Sequence, residues 1–354
     1  MKNENDIKNE KVRHYFPGGN TSNGFVSFYN NILRSTSVGK IVIIKGGPGT
    51  GKSSLMKRVG KFFEEKGEYV HYLHCSSDCN SLDGVYLPKF NSAIIDGTSP
   101  HTVDCRYAGC YDKIFDVGIY IDDNIKNFRE EIKETDDNIK SHFSASYEYL
   151  RVSKAILDIM ERRSKDALDM GEVNNFCLNI TKRVMSNNDS GKVRKMFLSA
   201  ITPQGLKNYI NTVMHDKYVI KLECDVGDNA GFILKKILSY AQNQNIDTDI
   251  FYCPLNPDKP EHIVFVNSHL ALTVSNKFHN TSYADEVVYF SDFVKKDYNN
   301  QKEAEEYEKY IKKAINELVK AKKLHDKLES YYVKNFDYSK MDVFYENIID
   351  FMSL

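Results

Sequence analysis

Short apolar runs alternate along the chain with polar loops and with longer segments of helical period, a pattern typical of an α/β protein. The β-branched run KIVIIK at residues 40–45 predicts a buried strand. After a Gly-rich loop, Leu55, Val59 and Phe63 fall on one helical face. That segment meets Gly67, so we expect a helix that ends there.

Two more runs predict strands in the same region. YVHYLH alternates apolar and polar positions, and it is expected to run into a polar loop that holds Asp78 and Asp83. NSAIID is a short apolar run that ends at Asp96. The first third of the chain is therefore expected to contain several strands around one helix.

Two charged stretches keep the helical period over much greater lengths and predict long amphipathic helices. The apolar stripe of the first is Ile125, Phe128, Ile132, Ile139, Phe143, Tyr147 and Leu150, and that of the second is Tyr307, Ile311, Ala314, Leu318, Ala321, Leu324 and Leu328. SKDALDMGEVNNFCLNITKRVM predicts a shorter helix, and SNNDSGK a linker. The stripes favour packing on each other or on the sheets, and a moving arm or a partner-binding hairpin is the alternative.

The loop between the first strand and helix, KGGPGTGKSS, satisfies the pattern G-x-x-x-x-G-K-[ST]. Its glycines allow positive φ, so successive N–H groups can surround a phosphate chain at the positive end of the helix. We expect Lys52 to reach the β and γ phosphates and Ser53 Oγ to ligate Mg²⁺. The predicted phosphate-binding set is Gly46, Gly47, Pro48, Gly49, Thr50, Gly51, Lys52, Ser53 and Ser54. An accidental Gly-rich turn is the alternative, which the flanking strand and helix disfavour.

A Mg²⁺ site at this loop needs a carboxylate from a neighbouring strand end, and Asp96 looks like a Walker B aspartate. The alternative is an Asp-Gly turn. Asp83 or Asp78 is expected to orient the attacking water or a substrate hydroxyl, although either can be a plain loop residue. The predicted catalytic set is Lys52, Asp96 and Asp83, and the predicted metal ligands are Ser53 and Asp96. No glutamate directly follows Asp96, which argues against fast hydrolysis.

The stretch HYLHCSSDC also invites a metal interpretation, because it brings together His71, His74, Cys75 and Cys79. The spacing does not match a zinc pattern, so residues of a packed strand are the favoured interpretation.

Comparison of the chain with itself suggests a duplicated unit, with coincidental α/β patterning as the alternative. Residues 44–101 run against residues 222–279 without a gap. Upstream, in a frame that is slightly longer, FPGGNTSNGFVSFYNNI aligns with FLSAITPQGLKNYINTV, and each is expected to be a loop followed by a short helix.

In this alignment KGGPGTGKSS corresponds to ECDVGDNAGF, and the chemistry of the loop is lost. Lys52 becomes Ala230, Asp96 becomes Val274, and an added Asp225 would repel a triphosphate. We therefore expect the second unit to bind no nucleotide. The joint loss also supports Asp96 as a Mg²⁺ ligand.

These patterns predict an α/β fold of tandem P-loop NTPase-like units with mostly parallel sheets, plus long helical segments that form a hairpin or bundle. The predicted divisions are 1–121 for the unit with the functional loop, 122–190 for a helical segment and linker, 191–296 for the degenerate unit and 297–354 for a C-terminal helical segment.

Composition adds constraints on the setting. The net charge of -1 does not favour nucleic acid as a partner. Seven scattered cysteines indicate reduced thiols, and a polar N-terminus with no long apolar run argues against export or membrane spanning, so we expect a cytoplasmic protein. A homo-oligomer stays open.

The ordered segments HYFPGGNTSNGF, KGGPGTGKSSLM, HCSSDCNSLDG and IIDGTSPH resemble a poorly characterised family of bacterial P-loop ATPase-like proteins that repeat the P-loop unit later in the chain. AKKLHDKLESYYV near the end is similar too. The resemblance covers most of the chain and implies binding and hydrolysis of a nucleoside triphosphate, whereas the second loop departs from the family pattern. The expected function is Mg-dependent hydrolysis of ATP by the first unit only. A small-molecule or nucleotide kinase, and a nucleotide-sensing switch or scaffold acting through the helical arms, are the alternatives.

Overall fold

The computed structural model describes residues 10–34, 39–99, 102–184 and 189–353. His101 and residues 186–188 of the predicted linker lie outside these ranges. The described α-helices are α1 (Tyr29–Arg34), α2 (Lys52–Glu65), α3 (Arg129–Asp166), α4 (Met170–Val184), α5 (Asn211–Met214), α6 (Ala230–Asn243), α7 (Gln301–Val333) and α8 (Met341–Ser353). Short 3-10 helices lie at Pro88–Phe90, Val117–Tyr120, Asp123–Phe128, Phe290–Phe293 and Tyr338–Lys340.

The first sheet has six strands, which are β1 (Val12–Tyr15), β4 (Lys40–Lys45), β5 (Val70–His74), β6 (Leu82–Leu87), β7 (Ser92–Asp96) and β8 (Asp112–Asp116). Their spatial order is β1-β5-β6-β7-β4-β8, with β6 antiparallel to both neighbours and the other three pairs parallel. Ile44 pairs with Asp96 across β4 and β7, so the strand before the Gly-rich loop ends beside that aspartate.

Asp83 was expected in a loop, and that expectation is wrong because it lies on β6. All six residues of this strand are buried, between β5 and β7. A strand covered on both faces does not alternate apolar and polar residues, so Asp83 and Gly84 looked like a turn in the sequence.

The second sheet repeats the arrangement of the first. Its strands are β9 (Val193–Met196), β12 (Tyr218–Glu223), β13 (Thr248–Tyr252), β14 (Pro260–Phe265), β15 (Leu270–Ser275) and β16 (Glu286–Tyr289). The order is β9-β13-β14-β15-β12-β16, and β14 alone is antiparallel to its neighbours. The sequence aligns with itself in two frames, and the strands reproduce both of them. One frame is the number of residues from the start of β4 to the start of β12, and the other, slightly longer, is that from β1 to β9. The α/β class and the mixed, mostly parallel sheets are therefore as expected.

The two segments predicted as loops before α1 and α5 are β-hairpins, so that expectation is wrong. They consist of β2 (Gly18–Thr21) with β3 (Gly24–Ser27), and β10 (Ser199–Thr202) with β11 (Gly205–Asn208). Gly24 and Gly205 adopt φ of +86° and +96° at the same point of each turn, where a glycine avoids the strain of a side chain. Each strand has only four residues, and glycines in β2 and small polar residues in β10 hid the strands from the hydrophobic pattern.

The inner faces of the two sheets pack on each other in one shared core, to which β4 contributes Ile43 and β13 contributes Phe251. The outer face of the first sheet packs on α2 and α8, and that of the second sheet on α4 and α6. Val42 and Ile44 face α2 while Ile43 faces the second sheet. The continuous apolar run of β4 follows from burial on both faces.

The long helices α3 and α7 pack along each other in antiparallel directions, as their apolar stripes predict, but Ile125 and Phe128 of the first stripe lie in the 3-10 helix that precedes α3. Ser146 Oγ donates a hydrogen bond to the Ala314 carbonyl (3.1 Å), and Ser153 Oγ donates one to the Tyr307 carbonyl (3.3 Å). Small serine side chains let the two backbones approach closely. α3 leads away from the first sheet and ends against the second, and α7 runs back in the opposite direction. None of the described helices is long and apolar enough to cross a membrane.

Candidate phosphate-binding site

The loop of residues 46–51, here the first loop, connects the end of β4 to the start of α2. Gly49 and Gly51 adopt φ of +73° and +81°, a conformation that favours glycine. Gly51 is the N-cap of α2 and offers no side-chain acceptor to the first turn. The helix therefore begins with its positive end open toward the loop.

The backbone N–H groups of residues 49–53 donate no hydrogen bond to any residue of the described ranges. A run of such donors at a helix start is the arrangement that surrounds a phosphate group. The residues present thus fit a phosphate chain, which would accept the hydrogen bonds that the protein itself leaves unmade.

The Lys52 ammonium is folded back into the first loop. Its Nζ donates hydrogen bonds to the carbonyls of Gly46 (2.8 Å) and Gly47 (2.7 Å), and it lies 3.6 Å from Asp96 Oδ2. Burial lowers the pKa of Lys52, and the negative charges of Asp96 and Glu329 partly oppose this effect. Because burial penalises a charge that is not compensated, further negative charge beside the Lys52 ammonium stabilises it.

Asp96 and Ser53 supply the oxygen atoms that a Mg²⁺ ion prefers. Asp96 Oδ1 accepts hydrogen bonds from the Thr98 N–H (2.9 Å) and Thr98 Oγ1 (2.5 Å), which fixes the carboxylate at the end of β7. Ser53 Oγ accepts a hydrogen bond from the Leu82 N–H (2.9 Å). The donor set therefore fits the ion, and strand pairing brings Asp96 to the loop.

The two other candidate aspartates have different surroundings. Asp83 is buried beside Tyr29 and Cys75, whose pKa values are raised by burial and then by the Asp83 charge, and it acts electrostatically on Lys52. Asp78 lies 3.3 Å from Lys322 Nζ of α7. Burial raises the pKa of Asp78, but Lys322 and local hydrogen bonds outweigh it, so the pKa is lowered. Asp78 thus joins its loop to α7, whereas Asp83 borders the site.

The C-terminal end of α7 and the turn after it cover the first loop, which the sequence did not predict. Tyr338 OH donates a hydrogen bond to the Gly49 carbonyl (2.5 Å). A Cβ atom built on Gly47 would lie 2.4 Å from the Tyr332 ring, and one on Gly49 would lie 2.6 Å from Glu329 Cγ. The segment AKKLHDKLESYYV was the available signal, since it contains or adjoins these residues.

The loop of residues 224–229, here the second loop, occupies the matching place in the second sheet but satisfies several of its own donors. Asn229 Oδ1 caps α6 by accepting from the Phe232 N–H (3.0 Å), and the Asn229 N–H donates to Ser164 Oγ (3.0 Å). The Asp225 N–H donates to Asp228 Oδ2 (2.8 Å). Protein groups thus take some of the hydrogen bonds that a phosphate would need, and two carboxylates add negative charge.

A buried ion pair lies beside the second loop. Lys259 Nζ is 2.5 Å from Glu161 Oε1 near the end of α3, and both side chains are about nine-tenths buried. Burial lowers the pKa of Lys259, but Glu161 and other neighbours raise it by a larger amount, so the net shift of the pKa is upward. A Cβ on Gly231 would lie 2.7 Å from Lys259 Cγ, so the lysine stem covers the start of α6.

The residues considered for zinc have other partners. His74 Nε2 lies 2.8 Å from His14 Nδ1, and His74 Nδ1 lies 3.2 Å from the Cys79 carbonyl oxygen. Burial of His71 lowers its pKa. The neighbourhood is a packed aromatic cluster with Tyr72.

Set against protein-family models, curated proteins and solved structures, the chain matches none of them. Its function must therefore be inferred from its own residues and their geometry.

Proposed function

We propose that the chain binds ATP with Mg²⁺ at the first loop and hydrolyses it. The observation that carries this proposal is the run of N–H groups at residues 49–53 that have no acceptor within the described ranges, at an uncapped helix start. Lys52 and Asp96 flank the same point. Anion donors, a buried cation and a carboxylate at adjoining strand ends are together what a Mg-triphosphate requires.

Each residue of the site has a separate role in this proposal. The N–H groups hold the phosphate oxygens, and Lys52 turns from the Gly46 and Gly47 carbonyls to the β and γ phosphates. Ser53 and Asp96 hold Mg²⁺, which when bound neutralises charge on the phosphates. Asp83 is close enough to affect Lys52 electrostatically, which supports a part in the site.

We propose further that the two sheets are copies of one P-loop NTPase-like unit, of which only the first binds nucleotide. The shared strand order and directions support the common origin. The second loop favours an empty site because Ala230 stands where the first loop has Lys52, and Asp225 and Asp228 add negative charge.

A nucleotide-sensing switch is the second candidate, and the cover over the first loop favours it. Tyr332 and Tyr338 lie against Gly47 and Gly49, so the end of α7 contacts the loop that would hold the triphosphate. α7 packs along α3, and α3 ends against the second loop. Occupancy of the first site is thus mechanically connected to the far end of the molecule and to any protein partner held there.

Thermal unfolding with and without Mg-ATP tests the binding site. At a ligand concentration 100 times Kd, binding stabilises by about 2.7 kcal/mol. An unfolding entropy of about 2.1 cal/mol/K per residue amounts to about 0.7 kcal/mol/K for 354 residues, which converts that energy into a rise of about 4 °C. We expect Lys52→Ala to abolish the rise. Lys61→Ala, an exposed lysine on the same helix, should retain it.

An unchanged rise in Lys52→Ala would refute the site, and calorimetric binding of two nucleotides per chain would refute the empty second loop. Phosphate release without an acceptor supports the hydrolase. Release that requires an added metabolite pool supports a kinase, and binding without turnover supports the switch.

A further inference from the structure

Glu329 is a carboxylate at the mouth of the first loop that comes from a distant part of the chain. It lies near the end of α7, one helical turn before Val333. A Cβ on Gly49 would lie 2.6 Å from Glu329 Cγ and 2.8 Å from Val333 Cγ2, so this turn of the helix rests on the loop. The Glu329 charge is also among those that act on Lys52. Its carboxylate therefore belongs to the surroundings of the Lys52 ammonium.

The other carboxylates at the site are held by the protein. Asp96 Oδ1 is fixed by Thr98, and its Oδ2 faces Lys52. Asp83 is buried beside Tyr29 and Cys75 on a strand in the middle of the sheet. Because both groups are fixed in place, neither can reach outward to a nucleophile.

The Glu329 carboxylate makes no hydrogen bond or ion pair with any residue in the described ranges. On α7, a ring nitrogen of His325 and a carboxylate oxygen of Asp326 both lie within 4.8 Å of a Glu329 oxygen. Burial lowers the pKa of His325, so the ring is neutral near pH 7 and does not cancel the charge. Lys322 and Asp326 on the same helix pair with each other, and Lys322 also pairs with Asp78.

The second half of the molecule shows what a purely structural glutamate looks like at this position. Leu168 follows Glu161 in the chain and forms a β-bridge with Val294. Phe336 follows Glu329 at the same interval and forms the matching β-bridge with Ile121. Glu161 is neutralised by Lys259.

The first half has no such lysine, because Ser81 occupies the position that aligns with Lys259. Glu329 has therefore kept its place on the loop without the partner that neutralises Glu161. The glutamate that lacks an ion-pair partner in the described ranges is thus the one beside the loop that contains Lys52 and the N–H groups without an acceptor in those ranges.

We propose that Glu329 is the carboxylate that positions and deprotonates the water attacking the γ phosphate in the first site, an inference that rests on the proposed hydrolase function. The water oxygen forms a bond to the γ phosphorus while the bond from that phosphorus to the bridging β,γ oxygen breaks, which leaves ADP and inorganic phosphate. The proton released by the water passes to Glu329 and then to solvent. Glu329 thus supplies the glutamate that is missing after Asp96, and it acts only when α7 is seated on the first site.

Single-turnover phosphate release and Mg-ATP binding, measured on the full chain, test this role. Loss of a general base costs about 100-fold or more in rate, so we expect Glu329→Gln to release phosphate at least about 100-fold more slowly than wild type. Its affinity for Mg-ATP should fall by no more than about threefold, because the substitution preserves shape and leaves the N–H groups and Lys52 in place. Glu305→Gln, an exposed glutamate at the other end of α7, should behave as wild type.

The outcomes separate this inference from the function on which it rests. If wild type binds Mg-ATP and Glu329→Gln hydrolyses it at the wild-type rate, the role of Glu329 is wrong and the phosphate site stands. If wild type binds but releases no phosphate, the role is equally wrong. If wild type binds no Mg-ATP, the proposed function itself fails. A Glu329→Gln chain that binds and does not turn over supports the proposal, and circular dichroism checks that it is folded.

Discussion

The ion pair between Lys259 and Glu161 beside the second loop offers a sharp test of how the protein compensates a buried charge. Glu161→Gln removes one charge and preserves the shape of the side chain. Lys259 Nζ would then remain buried, 11% of its side chain being exposed, without the carboxylate that lies 2.5 Å away. An uncompensated buried charge is among the most destabilising changes a single substitution can make.

Removing one partner of a buried pair costs about 3–5 kcal/mol. We expect the low end of that range here, because Glu261 also favours the charged form of Lys259 and remains in the variant. With an unfolding entropy of about 0.7 kcal/mol/K for 354 residues, a loss of about 3 kcal/mol lowers Tm by about 4 °C. The shared core between the sheets justifies treating the chain as one unfolding unit.

Thermal unfolding followed by circular dichroism measures this change, and a second variant separates charge from packing. Glu161→Leu combined with Lys259→Met replaces both charges by apolar groups, and it should recover most of the loss. The pKa of Lys259 is raised in the folded protein, so its contribution to the free energy of unfolding is complete at any pH below its unfolded pKa of about 10.4. The loss of stability in Glu161→Gln should therefore be the same at about pH 6 and about pH 8. A Tm drop below about 1 °C, or a double variant no better than the single one, would contradict the reasoning.

Two further predictions concern the first loop and the histidine pair. Gly49 and Gly67 both have φ of +73°. A Cβ on Gly49 would lie 2.6 Å from Glu329 Cγ, whereas a Cβ on Gly67 would meet only Lys11 Nζ at 4.0 Å. Gly49→Ala should therefore lower Tm by about 2 °C more than Gly67→Ala, because only the first substitution overpacks its surroundings. Equal losses would contradict the seating of α7 on the loop. Burial lowers the pKa values of His14 and His74 to about 4, so the unfolded chain binds protons first and Tm should fall between about pH 6.5 and about pH 4. His74→Gln should flatten that dependence, and an unaltered slope would show that the pair does not contribute.

Much of the local structure followed from short-range pattern. The sequence predicted the β-branched strand β4, the helix that ends near Gly67 and the two long amphipathic helices. Each of these patterns involves residues that are close together in the chain. The hairpins before α1 and α5 were missed because their strands are short and rich in glycine or small polar residues. Asp83 was misplaced because a strand buried on both faces carries no alternation.

The first loop is the part of the candidate site whose position and backbone conformation the sequence indicated best, because they depend on consecutive residues. Asp96 was also predicted, but only strand pairing explains why it meets the loop, since β4 and β7 are neighbours in space. The strands β12 and β15 repeat that relationship in the second sheet. The repeat could be read from the sequence as an alignment, and its strand order could not.

By itself the sequence determined the elements and the residue types that reside in contiguous segments, including Lys52 in the first loop and Ala230 at the aligned position of the second. Only the tertiary structure decided that α3 and α7 run from the loop of one sheet to that of the other, that Lys259 neutralises Glu161, and that Glu329 meets the loop of Lys52 from near the other end of the chain. The reason is physical: hydrogen bonds within a helix or a turn join near neighbours in the chain, whereas burial of two sheets and a helix pair in a common core brings together side chains whose separation along the chain carries no signal of their contact.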